Sequence, residues 1–446
     1  MPATSKSHVL ARSTAVDRRR FLTALAAAAM GAPSLAGCLA RSITRPTRRW
    51  NAVQAWIDGY VRAGKLAGAA VGVSYFDGPP AYLSAGMIAL DSTQRFDENS
   101  ICRIYSMTKP VTGMAAMCLV EEGRIRLDQP VAEVLPELAS LRVAIDLETG
   151  LESRPAVNTM TMRHLLTHTN GFAYWSPAFS GVLPSAYREH GITPGNYDPV
   201  EFNRPGHGPQ AKGLADMVKR LAALPLAFEP GTAWAYSLGL DVMGLVIERV
   251  TGKGLDVFLH DRLFVPLCMD STGFQVAPRD VGRLTTNYTI TPEGLKPKDV
   301  PATSTWRVPS PLLAGGAGLL STVRDFTRFG AMLLGEGQLD GKRVMKPETV
   351  RLARSNLLPP GVAARARDGG QSGFAAGAQL VVPDAPSPLG PGGTLSHGGA
   401  SGTLWLVDPA RRGNFVFMSQ HYPPQTYPNL LGEATAAIGA DLEQHG

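Results

Sequence analysis

The sequence predicts an α+β protein in which one antiparallel sheet is formed by both chain ends, flanked by helices, with a mostly helical subdomain inserted between the two halves. Three observations predict it. Strand-like segments cluster near residues 67–90 and again near 394–422. Helical periodicity dominates the stretch between them, and helix-like runs lie outside each strand cluster, at 50–63 and 429–442.

The chain opens on a leader. "DRRRFLTALAAAAMGAPSLAGC" (17–38) sets arginines before Phe21-Leu22 and an Ala-rich apolar segment, the layout of a twin-arginine export signal. It ends in Leu35-Ala36-Gly37-Cys38, which resembles a bacterial lipobox with cleavage before Cys38 and a lipid on its sulfur. The alternatives are an apolar helix that happens to end in a cysteine, and ordinary cleavage near the same place without a lipid. The expectation is an exported bacterial protein, periplasmic or held at a membrane through Cys38. Residues 1–37 are then the signal, 38–48 a linker and 49–446 the folded domain. Its α/β part covers about 49–124 and 350–446, and its helical part about 125–349.

Composition narrows the function classes. The chain has 446 residues with 44% hydrophobic composition, enough for a sizeable core. After the leader no run of about 18 strongly apolar residues occurs, which argues against a polytopic membrane protein. The net charge is +6, but Lys6, Arg12, Arg18, Arg19 and Arg20 against Asp17 account for +4, leaving about +2 for the remainder. A near-neutral body does not support nucleic-acid binding.

Each element has a local reason. Val53, Ile57 and Val61 repeat at helical spacing within 50–63. "AGAAVGVSYFDG" and "PPAYLSAGMIAL" read as two strands joined through Asp-Gly-Pro-Pro. The next helix carries Met107, Val111, Met114, Ala115, Cys118 and Leu119 at three- and four-residue steps. Pro110 would clash with a preceding turn deep inside a helix, so this helix is expected to start at or very near Ser106. Cys118 falls on its apolar face as a packing residue.

In the middle, "TMTMRHLLTHTNG" is expected to stop at Asn170-Gly171, and "LGLDVMGLVIERVTG" at Gly252. Thr322 with Asp325 resembles a capping box. Pro/Gly-rich stretches at 176–213 and 277–312 read as loops. Near the end, "TLSHGGASGTLWLVDP" and "NFVFMSQHY" read as two strands separated by residues 409–413.

The chemistry centres on "YSMTKP" (105–110). Ser106 and Lys109 share a helix face at i and i+3, so an amine can take the proton that a seryl hydroxyl must lose to become a nucleophile. At a helix N-terminus, outward N–H groups also favour developing negative charge. Alone this pattern is weak, and a capped helix with a solvated lysine accounts for it. Two distant segments add to it. Tyr236-Ser237 precedes an amphipathic helix, and His397-Gly398-Gly399 lies in a strand-like run, where glycine often marks the close approach of a ligand or another backbone.

With these three motifs in this order, the chain resembles the serine β-lactamase and penicillin-binding superfamily, above all class C β-lactamases, DD-peptidases and family VIII carboxylesterases. Ser106–Lys109 matches the S-x-x-K motif, Tyr236–Leu238 the tyrosine motif and His397–Gly399 the edge-strand motif. "MTMRHLLTHTNGF", "EPGTAWAYS" and "GAGLLSTVRDFTRFG" are similar to family stretches, and the resemblance spans about 50–440. It implies that Ser106 forms an acyl-enzyme, that Lys109 and Tyr236 move its protons, and that the N–H groups of Ser106 and Ala400 stabilise the oxyanion. It further implies that His397, Gly398, Gly399 and Leu238 border the substrate, with no cofactor and no metal.

Two departures bear on substrate. Leu238 stands where relatives acting on β-lactams often carry Asn, and Gly398 where they often carry Thr. A site lacking both partners discriminates poorly in favour of an amide-flanked, carboxylated substrate. The expected activity is therefore a carboxylesterase on small to medium acyl esters. The alternatives are β-lactamase or DD-peptidase action, acyl transfer, or a non-catalytic cell-envelope binding protein of the same fold.

Other motifs carry less. His164 and His168 lack the Glu of a zinc-protease helix and read as structural or capping residues. Gly315–Gly318 lacks a following Lys-Ser/Thr and reads as a tight turn. No G-x-S-x-G occurs. Trp175, Trp234, Trp306 and Trp405 are open to two readings, an acyl pocket or ordinary packing.

Overall fold

A computed structural model of the protein describes residues 49–174, 181–193, 206–365, 371–383, 387 and 390–444. The leader 1–37, Cys38 and the rest of the linker lie outside these residues, as does Trp175.

The two chain segments meet in one sheet. Strands β1 (Gly68–Ser74) and β2 (Ala81–Gly86) come from the first segment. Strands β3 (Ala364–Arg365), β4 (Gln371–Phe374), β5 (Gln379–Leu380), β6 (Leu395–Gly399), β7 (Thr403–Asp408) and β8 (Gly413–Met418) come from the last. Their order is β3-β4-β5-β6-β7-β8-β1-β2. β1 pairs antiparallel with β8, Val71 opposite Phe417, so the first and last long strands are neighbours. The helices that frame the sheet and the site are α1 (Asn51–Arg62), α2 (Thr108–Glu121), α3 (Met162–Thr167), α4 (Gly239–Thr251), α5 (Val323–Leu334) and α6 (Leu430–Glu443).

Period-two alternation sorts the strand side chains into two cores. Val71, Val73, Leu404, Leu406, Phe415 and Phe417 pack with Val53 and Ile57 of α1 and Leu430 and Ile438 of α6. Their neighbours Ala70, Trp405, Val407, Val416 and Met418 join a larger core with α2, α4 and α5. Phe326 and Phe329 of α5 flank Trp405, with ring centroids 5.7 and 5.6 Å away. Trp405 is thus a packing residue, as is the buried Trp306. The terminal helices are also tied to each other. Buried Asp441 of α6 accepts from the Ala52 and Val53 amides at 2.9 and 3.0 Å, serving as an N-terminal cap for α1 supplied from the far end of the chain.

Several boundaries follow local chemistry. A 3-10 turn, Tyr105–Met107, leads into α2, leaving Pro110 in the first α-helical turn, where a missing N–H is tolerated. Thr322 caps α5 by accepting from Asp325 N at 3.1 Å. The Asp325 carboxylate instead accepts from Ser271 N and Thr272 Oγ1, so the reciprocal half of the capping box is absent. α3 stops at His168 rather than at Asn170-Gly171, because His168 takes a left-handed conformation, φ 60°. The run 394–409, read as one strand, is the hairpin β6–β7: Ala400-Ser401-Gly402 turns the chain, with Gly402 at φ 72°. Residues 287–299, expected as loop, form a two-stranded hairpin, Asn287–Thr291 with Gly294–Asp299. Among the described residues, no helix is long and apolar enough to cross a membrane.

Candidate active site

The turn bearing Ser106 is anchored on three sides. The Gln420 side chain brackets the Arg103 peptide, accepting from Arg103 N at 3.0 Å and donating to Arg103 O at 3.1 Å. Ile104 N donates to Leu319 O at 3.1 Å, and Met107 N closes the turn on Ile104 O at 3.0 Å. Tyr105 lies at φ 40°, a conformation that a non-glycine residue keeps only where its surroundings fix it.

Lys109 lies in the first turn of α2 with no exposed surface. Its Nζ is 3.2 Å from Ser106 Oγ and donates to Gly316 O at 2.8 Å. It sits over the rings of Tyr236 and Tyr174, 4.5 and 5.7 Å from their centroids. Burial pushes the Lys109 pKa below the ordinary lysine value, while Tyr174 and Asp241 act in the opposite direction. The amine can therefore become neutral more readily than a solvated lysine, as a proton acceptor for Ser106 must.

The tyrosine motif enters from the segment before α4. Tyr236 stacks against His168 at 4.5 Å between ring centroids and meets Tyr174 edge-on at 5.1 Å. His168 is wholly buried. Its Nδ1 accepts from Ser237 N at 3.1 Å and lies 3.0 Å from Ser237 Oγ, which places the proton of the neutral ring on Nε2. Burial, then the Lys109 charge, holds its pKa well below the ordinary histidine value, so this face of Tyr236 meets an uncharged ring. His164 turns its Nδ1 back to accept from Thr161 N, completing a capping box for α3.

The strand motif closes the site opposite. Gly399 is where β6 meets the nucleophile's turn: a Cβ there would fall inside contact distance of Ile104 O and Thr403 Oγ1. Its pairing with Gly398 in "SHGGAS" is thus explained in part by backbone approach. Gly398 is buried opposite Leu404, and Ala400 begins the β6–β7 turn, half-buried. His397 is half-buried, with its ring centroid 6.2 Å from that of Tyr236.

Of the residues expected to act, Ser106, Lys109, Tyr236, His397, Gly398, Gly399 and Ala400 fall on the elements that converge here. Leu238 does not present itself to a ligand. It lies at the start of α4, wholly buried in the larger core, where an apolar side chain fills space. Cys38 lies outside the described residues.

The structure adds residues that the motifs did not indicate. Asp241, in the first turn of α4, is buried and accepts from Gly316 N at 2.9 Å. Its Oδ2 is buried without a hydrogen-bond partner among the described residues. Burial raises its pKa and Lys109 opposes the rise. In the sequence it reads as an ordinary acid at a helix start. The glycine run is more than a turn, because a Cβ at Gly315 would meet Leu240 O and one at Gly316 the Asp241 carboxylate. Trp234 stands near His168 and Phe374, at 6.2 and 5.9 Å between centroids, on the tyrosine-motif side of the site.

A family model described as Beta-lactamase matches residues 53–440. The chain belongs to this family. It is 34% identical over 397 residues to Protein Rv1367c of Mycobacterium tuberculosis, covering 87% of this chain and 93% of that one. It is 33% identical over 406 residues to Esterase EstB of Burkholderia gladioli, covering 86% and 93%. Among solved structures, EstCE1, described as a hydrolase with promiscuous acyltransferase activity, superposes with a TM-score of 0.70. That match has 23% identity and covers 87% of this chain and 97% of the other, so it bears on the fold alone. The α+β fold is that of β-lactamase-like serine hydrolases, and the family includes esterases and acyltransferases.

Proposed function

We propose that the protein is a serine carboxylesterase acting on small to medium acyl esters through an acyl-enzyme on Ser106. The observation that carries this reading is the buried Lys109 amine, 3.2 Å from Ser106 Oγ and depressed in basicity by its burial. In the proposed cycle Ser106 Oγ attacks the ester carbonyl as its proton passes to the Lys109 and Tyr236 pair. The tetrahedral oxyanion takes N–H bonds from Ser106 and Ala400, each such donor worth about 3 kcal/mol in related chemistry. Collapse breaks the bond to the alkoxy oxygen, which leaves with the proton. Water then attacks the acyl-Ser106 carbonyl, giving a proton to the same pair; collapse breaks the bond to Ser106 Oγ, which takes that proton back, and the acid leaves.

Esters are preferred over β-lactams on chemical grounds. Gly398 brings no hydroxyl for a substrate carboxylate, and buried Leu238 brings no amide for an acylamide group. The 33% identity to a protein named Esterase EstB supports the same choice. A fluorophosphonate probe should label the wild type and not Ser106→Ala. Nitrophenyl esters of short acyl chains should be turned over with a kcat/KM well above that of a cephalosporin. Equal efficiency would defeat the ester assignment, and an unlabelled wild type would point to a binding protein.

The leader supports a second, separate proposal about place. Export by the twin-arginine route and lipidation at Cys38 would hold the enzyme at a bacterial membrane. Cys38→Ser should then move it from the membrane to the soluble fraction, and an unchanged partition would count against the anchor.

A further inference from the structure

Lys109 and Asp241 are both buried, yet they are not joined directly. One peptide group stands between them: Gly316 O accepts from Lys109 Nζ at 2.8 Å, and Gly316 N donates to Asp241 Oδ1 at 2.9 Å. Glycine leaves room for the carboxylate at this link, since a Cβ on residue 316 would displace the Asp241 side chain. The Thr112 hydroxyl holds the preceding peptide by donating to Gly315 O at 2.7 Å. Two elements far apart in sequence, α2 and α4, are therefore clamped onto one loop at the point where the nucleophile's amine sits.

We propose that Asp241 is a positioning residue for Lys109, fixing the Gly316 carbonyl that orients the amine and supplying the buried negative charge that faces it. This rests on the reading of Ser106 and Lys109 as nucleophile and base. Around Lys109 the other groups are Ser106, Tyr174, Tyr236 and the neutral ring of His168. His397 lies beyond Tyr236. Asp241 is the carboxylate acting on the lysine from this set. Two roles follow from one side chain. Its hydrogen bond places the Gly316 peptide, and its charge favours the ammonium form, so that Lys109 can hold the proton taken from Ser106 until the leaving alkoxide accepts it.

The test is the pH dependence of fluorophosphonate inactivation and of kcat/KM for a nitrophenyl ester in the wild type, Asp241→Asn and Asp241→Ser. Asparagine keeps the acceptor for Gly316 N and removes the charge; serine removes the charge with less bulk and serves should the amide variant not fold. Loss of a facing anion disfavours the ammonium form, so the acid limb of both profiles should move down by at least about one pH unit, a tenfold change in the protonation equilibrium. The same variants should lose about tenfold or more in kcat/KM at the plateau, with KM nearly unchanged. An acid limb that stays in place, with activity lowered equally at every pH, would overturn the proposal and leave Asp241 a packing residue. An unlabelled wild type would instead defeat the underlying reading of Ser106, so the two failures are separable.

Discussion

At the scale of the residue, the site depends on two side chains that seemed ordinary and one that is missing. Lys109 at i+3 from a serine is unremarkable until burial lowers its pKa, leaving a neutral amine free to accept a proton and an ammonium acidic enough to return it. Lys109→Met should lower kcat by about 10³-fold, within the range removed with a general base, while leaving KM within a few-fold; a variant retaining a tenth of wild-type kcat would show that the amine is not the base. The missing side chain is that of Gly399. Its replacement by alanine drives a Cβ against Ile104 O, two residues before Ser106, and against Thr403. Pushing β6 from the nucleophile's turn by even an ångström should cost about 10² in kcat/KM. Near-wild-type rates for Gly399→Ala would mean that the Ala400 amide is not part of the oxyanion site. What was legible at this scale were groups with a chemical signature at a motif position, Ser106, Lys109, Tyr236 and the glycine pair. Asp241 and His168 were not, because their roles come from burial beside Lys109 and Tyr236, which no local spacing records. Leu238 shows the reverse: motif position suggested a ligand contact, and packing at the start of α4 used the residue as core.

At the scale of the element, helices with strong periodicity and proper ends were readable, and elements decided by distant partners were not. α1, α4 and α6 fall within a residue or two of their expected limits. α3 ended early because His168 leaves the helix to reach Ser237, a contact across 69 residues. The β6–β7 hairpin was hidden by the glycines that make its turn, since they interrupt alternation without announcing a reversal. The short strands β3, β4 and β5 carry little pattern of their own and exist as additions to the edge of β6. The tie between α1 and α6 offers an element-scale prediction. Asp441→Ala strips the acceptor from two α1 amides and leaves a buried gap, and should cost about 2 kcal/mol in urea unfolding. The terminal helices lie on the sheet face away from Ser106's helix, so esterase kcat/KM should stay within about twofold; unchanged stability would show that water replaces the carboxylate without loss.

At the scale of the whole molecule, the sheet joins both chain segments around a helical insertion, so acid damage at one buried group should report as loss of the entire fold. His421 is the clearest case. It lies buried behind the β6–β7 turn, with its amide donating to Ser401 O, its Nδ1 2.9 Å from Ser419 Oγ and its ring filling the space that a side chain on Gly402 would need. Burial pushes its pKa down to about 4. In the unfolded chain it titrates near the ordinary 6.5, so between these values the unfolded state binds more protons and stability falls as pH falls. The contribution is complete above about pH 6.5 and is lost on the way to about pH 4, on the order of 2–3 kcal/mol for this one side chain. His164, also pushed down to about 4 by burial, acts in the same sense. Asp325 acts against both: burial raises it to about 6, so its folded form gains protons first and offsets part of the loss as pH falls. Because these opposing groups are common to both proteins, the difference between wild type and His421→Gln isolates the histidine. Urea unfolding at pH 7 and at pH 4.5 should show the wild type losing more stability on acidification than His421→Gln, by about 2 kcal/mol. Parallel losses in the two proteins would mean that His421 is protonated in the fold without penalty, and that the turn carrying the Ala400 amide does not depend on a neutral ring beneath it.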